Sequence, residues 1–214
     1  MTIKEIKKYI DEFKDVNQID NTIINLLEKD SRKGVNKIAK RIHNKKQQII
    51  KKQKMWKKQN EIIKQYENKG FQYIAGIDEA GRGPLAGPVV SSAVILNTSK
   101  PILGLTDSKK ISLSERERLF DIILDKAVSV GIGIVSNTII DRVNIHQATF
   151  LAMRRAIDDL DYNPGFVLVD GNQKIPEIDC EQEAIISGDL KVNSISAASI
   201  IAKVTRDRIM DELH

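Results

Sequence analysis

The apolar run from Tyr73 to Ile77 ends in two adjacent carboxylates, Asp78 and Glu79, and the chain then turns through Gly81-Arg82-Gly83 into Pro84. The run reads as a strand. Carboxylates at the end of a buried strand are costly unless something positive sits there. Glycines let backbone approach a ligand closely, and an arginine held between them is placed to meet a phosphate or a sugar edge. The segment therefore points to a metal-and-phosphate site. Neighbours in a regular strand point to opposite faces, so Asp78 and Glu79 serve one site only if the chain bends right after Asp78. Ala80-Gly81-Arg82-Gly83 permits that bend.

The rest of the chain after Gly70 supplies a sheet around this strand. Phe71 to Asp78, Pro88 to Leu96, Val130 to Ser136, Gly165 to Val169 and a short Ala184 to Ser187 read as strands. The fourth is a continuous apolar run, as expected of a strand buried on both faces. Ser112 to Val128, opened by a Ser112–Glu115 capping box, Asn144 to Leu160 and Ser194 to Leu213 read as helices. Strands in succession, then alternating with helices, give a mixed α/β sheet with helices packed on it.

Residues 1–70 differ in character. Thr2 and Glu5 form a capping box ahead of Ile3, Ile6, Ile10 and Phe13 at helical spacing. A second helix covers Asn21 to Glu28. Val35 to Asn68 is helical again, with a thin apolar stripe and Gly70 as its stop. The chain thus divides into a small all-helical module with linker, 1–70, and an α/β domain, 71–214. The last helix reaches Leu213-His214 without a glycine, asparagine or proline stop, so a C-terminal segment of that domain is expected to be missing.

Charge follows the same division. Residues 1–70 carry 19 Lys/Arg against 9 Asp/Glu, and residues 71–214 carry 15 against 20. Within 31–60 there are 12 basic residues and no acidic one. Such a block suits a polyanion, with binding that weakens as salt rises; a solvated helix face is the plainer alternative. No apolar run approaches the roughly 18 residues of a membrane span, and the N-terminus lacks a signal-peptide core. The single cysteine, Cys180, forms no internal disulfide and fits a reducing, cytoplasmic setting. Three histidines make a histidine-based zinc site a poor fit.

Two further carboxylates stand out. Asp170 ends Phe166-Val167-Leu168-Val169, and ligands of open α/β sheets sit beyond the carboxyl ends of strands; Asp170-Gly171 also reads as an ordinary turn. Asp207 falls at the edge of the apolar face of the last helix, where a salt bridge with Lys203 at i−4 is the alternative. Four carboxylates about 4 Å apart would repel by about 4 kcal/mol per pair at an effective dielectric of 20. Protonation or bound cations relieve that repulsion, and all-oxygen ligands suit magnesium or manganese.

The signature from Ile74 to Val90, with Ile77-Asp78-Glu79-Ala80-Gly81-Arg82-Gly83-Pro84-Leu85-Ala86-Gly87-Pro88 at its centre, resembles that of type 2 ribonuclease H, ribonuclease HII. Leu105-Thr106-Asp107-Ser108-Lys109-Lys110, Val169-Asp170-Gly171 and the stretch from Ser194 to Asp207 follow in the family's order. The resemblance implies an RNase H-like mixed five-stranded sheet flanked by helices. It implies an endonuclease that cuts RNA in RNA–DNA hybrid duplexes, and on the 5′ side of a single ribonucleotide in DNA, leaving a 3′-hydroxyl and a 5′-phosphate. Carried over by position, Asp78, Glu79, Asp170 and Asp207 are the catalytic carboxylates that bind two Mn2+ or Mg2+ ions. Gly81, Arg82 and Gly83 read the ribose 2′-hydroxyl, the group that marks RNA within DNA, while Lys109 and Ser199 contact phosphates.

The family carries a C-terminal segment with a stacking tyrosine, and this chain ends before it. The second reading is therefore a catalytically impaired, duplex-binding fragment. Residues 1–70 are read as a duplex clamp, and the protein as a monomer that does not engage membranes. Three other residues take plainer roles: His146 as a partly exposed helix histidine, Trp56 as packing against the α/β domain, and Asp107 as a loop hydrogen-bonding group.

Overall fold

The computed structural model describes residues 1–13, 15–84 and 86–213. Leu85 of the signature and His214 lie outside the described residues. The chain forms two compact units, Met1–Met55 and Trp56 onward, with the division inside a helix.

The first unit is helical. Helix α1 (Ile3–Asp11) starts at a capping box: Thr2 Oγ1 accepts from Glu5 N, and Thr2 N donates to Glu5 Oε2 at 2.7 Å. Helix α2 (Asn21–Glu28) is capped by Asp20, and α3 (Lys33–Gln59) follows. Ile6 and Ile10 of α1 meet Ile19, Ile24, Leu27, Val35, Ala39 and Ile42 in a small core. Each such side chain contributes roughly 1.5–3 kcal/mol when fully buried. The outer face of α3 exposes Lys37, Lys40, Lys45, Lys51 and Lys54.

The second unit begins with the end of α3. The helical pattern anticipated through Asn68 is interrupted at Asn60, whose Oδ1 accepts from Asn193 Nδ2 at 2.8 Å, and resumes as α4 (Glu61–Asn68). Trp56 is buried with Leu96, Leu119 and Ile200, so it packs rather than projects. The elements that follow are β1 (Ile74–Ala80), β2 (Val89–Leu96), α5 (Leu113–Lys126), β3 (Ala127–Val135), α6 (Asn137–Asp158), β4 (Phe166–Asp170), β5 (Glu181–Ile185), α7 (Gly188–Lys191) and α8 (Asn193–Glu212).

The strands form one sheet in the order β3-β2-β1-β4-β5. β1 pairs antiparallel with β2 and parallel with β4, and β4 pairs parallel with β5. Strand β5 starts three residues earlier than anticipated. Its register runs from Phe166↔Glu181 to Asp170↔Ile185, and its polar sequence is that of an edge strand protected by charge.

Alternation along β1 divides its side chains between two layers. Ala75 and Ile77 pack with Phe150 and Met153 of α6. Gly76 and Asp78 face α8 on the other side. Helix α8 approaches so closely that a Cβ at Gly76 would collide with Ile195 N and with Ser194. Helix α8 is accordingly built from small residues where it crosses β1, with Ser194, Ser196, Ala197 and Ala198 all buried. Because β1, β4 and β5 run parallel, their carboxyl ends open on the same edge of the sheet.

Candidate active site

Strand β1 continues through Glu79 to Ala80, and the bend falls at Gly81, where φ is +108°. The chain does not turn directly after Asp78, contrary to the sequence-based expectation. The two carboxylates therefore keep strand alternation: Asp78 lies on the α8 side and Glu79 on the α6 side. They share one groove because the strand ends there. Asp78 is 7% exposed; its Oδ1 accepts from Glu79 N at 2.7 Å, and its side chain also bonds Ser199 of α8. Ser91 Oγ of β2 donates to Asp78 O at 2.8 Å and fixes the backbone.

Asp170 ends β4, and its Oδ1 accepts from Gly188 N at 2.6 Å. Gly188 has to be small there, because a Cβ would lie 2.6 Å from Ile195 Cδ1. The Gly188 hydrogen bond brings Asp189 into the site. A groove of about 280 Å³ is lined by Asp78, Glu79, Asp170 and Asp189, with Gly81, Arg82 and Gly83 on one wall and Ser108, Lys109 and Ser199 on another. Ser108 Oγ and Ser199 Oγ are hydrogen-bonded at 3.0 Å, and Asp107 Oδ1 accepts from Lys109 N at 2.9 Å, the loop role anticipated for it.

Asp207 is not in this groove. Lys203 Nζ donates to its Oδ1 at 2.5 Å and Arg116 Nη1 to its Oδ2 at 3.4 Å. It lines a separate, open depression with Pro84, Leu113 and Met210. It lies two helical turns past Ser199, and the i−4 ion pair with Lys203 that the sequence offered as the alternative is formed. Asp189 stands instead beside the other three carboxylates. The sequence reading missed it, and the signal was faint: Asp189 lies four residues past the polar strand β5, within α7, next to Gly188.

Electrostatics set these groups apart. Burial, with the charges of Glu79 and Asp170 added, pushes the Asp78 carboxyl well above the usual range. Burial also raises Glu79, against the pull of Arg82, whose Nη1 donates to Glu79 Oε1 at 3.0 Å. Partial burial and then Asp170 raise Asp189. Each of the three thus binds its proton more tightly because it is withdrawn from water beside uncompensated negative charge, and a cation relieves the same imbalance. Among the described residues no three stand in a ready-made ligand sphere. The oxygen-only donors in the groove nonetheless fit a hard divalent ion such as Mg2+ or Mn2+ better than a soft one.

Arg206 shapes the rim. Its guanidinium, on a residue 6% exposed, donates from Nε to Pro88 O at 3.0 Å and from Nη2 to Ala86 O at 2.9 Å. A Cβ at Gly81 would lie 2.6 Å from Arg206 Nε. Arg206 therefore braces the backbone at Ala86 and Pro88, and Gly81 makes room for it.

A mixed sheet in this order, helices on both faces and carboxylates at the ends of its central strands define an RNase H-like protein. The ribonuclease H2 of Pyrococcus horikoshii OT3 superposes with a TM-score of 0.59 at 30% identity, over 65% of this chain and 74% of that one. The RNase HII in the PCNA:RNase HII complex from Archaeoglobus fulgidus gives 0.56 at 30% identity, over 66% and 76%. The sequence pattern of ribonuclease HII matches residues 75–214, and that of the ribonuclease HII N-terminal domain matches residues 2–70. Ribonuclease HII of Bacillus subtilis (strain 168) is 46% identical over 212 residues, 98% of this chain and 80% of that protein. The chain belongs to the ribonuclease HII family. Among the described residues no helix is long and apolar enough to cross a membrane.

Proposed function

We propose that this protein is a metal-dependent endoribonuclease that hydrolyses the RNA strand of RNA–DNA hybrids. It cuts on the 5′ side of a single ribonucleotide in duplex DNA, leaving a 3′-hydroxyl and a 5′-phosphate. The observation that carries this reading is the groove in which Asp78, Glu79, Asp170 and Asp189 face the Gly81-Arg82-Gly83 turn.

Asp78, Glu79, Asp170 and Asp189 are the residues that would hold Mn2+ or Mg2+. Two such ions, when bound, supply activation of a water and stabilisation of the leaving oxygen in phosphodiester hydrolysis. The chain's own groups do the rest. Gly81 at φ +108° turns the backbone toward the groove, so the Gly81–Gly83 segment reaches a 2′-hydroxyl without side-chain obstruction. Arg82 and Lys109 meet phosphate oxygens. Ser199, hydrogen-bonded to Ser108 and beside Asp78 in the same groove, meets a phosphate oxygen near Lys109. The pull of Ser199 and Glu79 N on Asp78 opposes burial and favours the charged form a cation needs.

Residues 1–70 act as a duplex clamp through the exposed lysines of α3, and the protein works as a cytoplasmic monomer. The reading is tested with a DNA duplex holding one ribonucleotide, incubated with Mn2+ or Mg2+, with an EDTA control and with Asp78→Asn. A single cut 5′ to the ribonucleotide, absent in EDTA and in the variant, is expected. Cleavage that survives Asp78→Asn would overturn the assignment.

A further inference from the structure

Asp189 sits on a segment too short to hold its own shape. Helix α7 is a single turn of four residues, closed by Val192 N donating to Gly188 O at 2.8 Å. Isolated helices are marginal in water below roughly 12–15 residues, and the last carbonyls of any helix find no partner within it. Ser187, which opens the turn, is a non-glycine residue at φ +55°. Such a conformation persists where the surroundings impose it. The place of the Asp189 carboxylate therefore depends on what fastens Gly188–Lys191 from outside.

Contacts from β4, α8 and α3 do the fastening. Gly188 N donates to Asp170 Oδ1 at 2.6 Å. Ser196 Oγ of α8 donates to Asp189 O at 2.5 Å. Gln59 Nε2, from the last residue of α3, donates to Leu190 O at 2.9 Å. The last two bonds take up the carbonyls of Asp189 and of its neighbour. Gln59 is 4% exposed, and a primary amide withdrawn that far from water is costly unless it is bonded. It is held in turn by the start of α8: Asn193 Nδ2 donates to Trp56 O at 2.9 Å and to Asn60 Oδ1 at 2.8 Å. Gln59, Asn60 and Asn193 are all buried. Packing alone would be served by apolar side chains; amides fix direction as well as distance. Gln59 and Ser196 stand outside the carboxylate groove, so they act on it through the backbone of α7.

We infer that Gln59 and Ser196 are positioning residues for Asp189. By holding the Leu190 and Asp189 carbonyls, they set the Asp189 carboxylate where it can share a divalent cation with Asp170. The inference rests on the reading of Asp189 as a metal-holding group. Groups that orient a metal ligand typically carry about 10- to 100-fold in metal affinity or activity. Neither side chain is placed to meet the duplex, so the effect falls on metal binding and on kcat, not on the KM for the duplex.

The test is Mn2+ binding to the full chain without nucleic acid, read from the electron paramagnetic resonance signal of the free ion. It compares wild type with Gln59→Met, Ser196→Ala and Ile123→Val. Gln59→Met keeps the length of the side chain and removes the donor. Ser196→Ala keeps the small size that α8 needs where it crosses β1, and so gives the answer should Gln59→Met fold poorly. Ile123→Val loosens the core under α5 and measures general destabilisation. Gln59→Met and Ser196→Ala should each raise the Kd for Mn2+ by about 10-fold or more. They should lower kcat on the one-ribonucleotide duplex at limiting Mn2+ and leave the duplex KM near wild type. Hydrogen exchange at the Val192 amide should quicken in both, while exchange along β2 keeps its wild-type rate, the mark of a local loosening. Mn2+ affinity that is unchanged, or that falls no further than in Ile123→Val, overturns the positioning role whatever the exchange shows. Wild-type cleavage is read separately: its failure would sink the nuclease reading, while the Mn2+ comparison still decides whether these two residues set the metal site.

Discussion

Arg82 Nη1 lies 3.0 Å from Glu79 Oε1, and both residues line the carboxylate groove. The arginine half of the pair is about half exposed, whereas the glutamate half is largely buried. An arriving phosphate can therefore draw the guanidinium outward and leave Glu79 to a cation. Arg82→Ala should raise KM about 10- to 100-fold, the range set by losing a charge-assisted hydrogen bond to phosphate. It should also increase the proton affinity of Glu79 further, because Arg82 is its main lowering influence. Steady-state kinetics at several metal concentrations checks this; an unchanged KM would show that Arg82 does not meet the substrate.

The exchange of Asp207 for Asp189 makes a sharp contrast between two single substitutions. Asp189→Asn should reduce kcat by at least about 100-fold, in the range found for groups that stabilise developing charge, with little change in melting temperature. Asp207→Asn should leave kcat within a few-fold. Its cost lies in stability, because Arg116, with a side chain 13% exposed and its Nε without a partner among the described residues, loses its carboxylate. That cost is about 1–3 kcal/mol. Paired measurements of kcat and thermal unfolding decide it, and an Asp207→Asn protein that is stable but inactive would reverse the assignment.

Much of this was legible in the sequence, for physical reasons. β1 and β4 begin as short apolar runs, the usual look of a strand buried on both faces. Asp78, Glu79 and Asp170 end those runs, so topology alone gathers them. β5 was misplaced because Glu181 and Glu183 of an edge strand carry no apolar signal. The cap at Asn144 is local, and the reading of a helix from Asn144 caught it; the brace from Arg206 depends on Ala86 and Pro88, far away in sequence, which periodicity does not report. Asp207 misled because a helix edge is compatible with either a site or an ion pair, and only the distance to Lys203 tells them apart.

The approach of α8 to β1 predicts an intolerant position away from the carboxylates. Gly76→Ala places a methyl against Ile195 N and Ser194, both backbone-anchored. Overpacking of this type costs about 1–3 kcal/mol, and because Asp78 and Ser199 lie along the same seam, activity should fall with it. Gly83→Ala, at a position where a Cβ meets no atom of the described residues within 4 Å, should leave stability unchanged. Denaturant unfolding of the two variants makes the comparison; equal midpoints would mean the helix can move away.

The raised carboxyls predict an inverted pH dependence for the metal-free protein. Asp78, Glu79 and Asp189 hold protons in the folded state at pH values where the unfolded chain, titrating near 4, has released them. Unfolding then releases protons, so stability falls as pH rises from the ordinary carboxylate range through the raised values. Asp30, drawn down to about 2 by Arg32, acts in the opposite sense, but its window lies below pH 4. In EDTA the melting temperature should decline as pH rises above the ordinary carboxylate range, and Asp78→Asn should flatten the decline. Mn2+ or Mg2+ should restore more stability at the high-pH end of that decline than at the low-pH end. A melting temperature that climbs with pH in EDTA would contradict the electrostatic account of the groove.

Helix α3 offers a quantitative test of the clamp. Lys45, Lys51 and Lys54 are exposed and take no part in the Ile6–Ile42 core, so Lys→Gln changes there leave the small helical unit folded. Lys46 is a poor choice, because its Nζ bonds Ile19 O and Asn21 Oδ1. If the three exposed lysines neutralise phosphates, the slope of log affinity against log salt should become shallower by about 0.9 for each phosphate left without its lysine. The weakening should be similar for hybrid and for DNA duplexes, since phosphates carry no sequence and no 2′-hydroxyl. With substrate in excess, kcat should stay near wild type while KM rises. A triple variant with an unchanged salt slope would show that the lysine face is merely solvated.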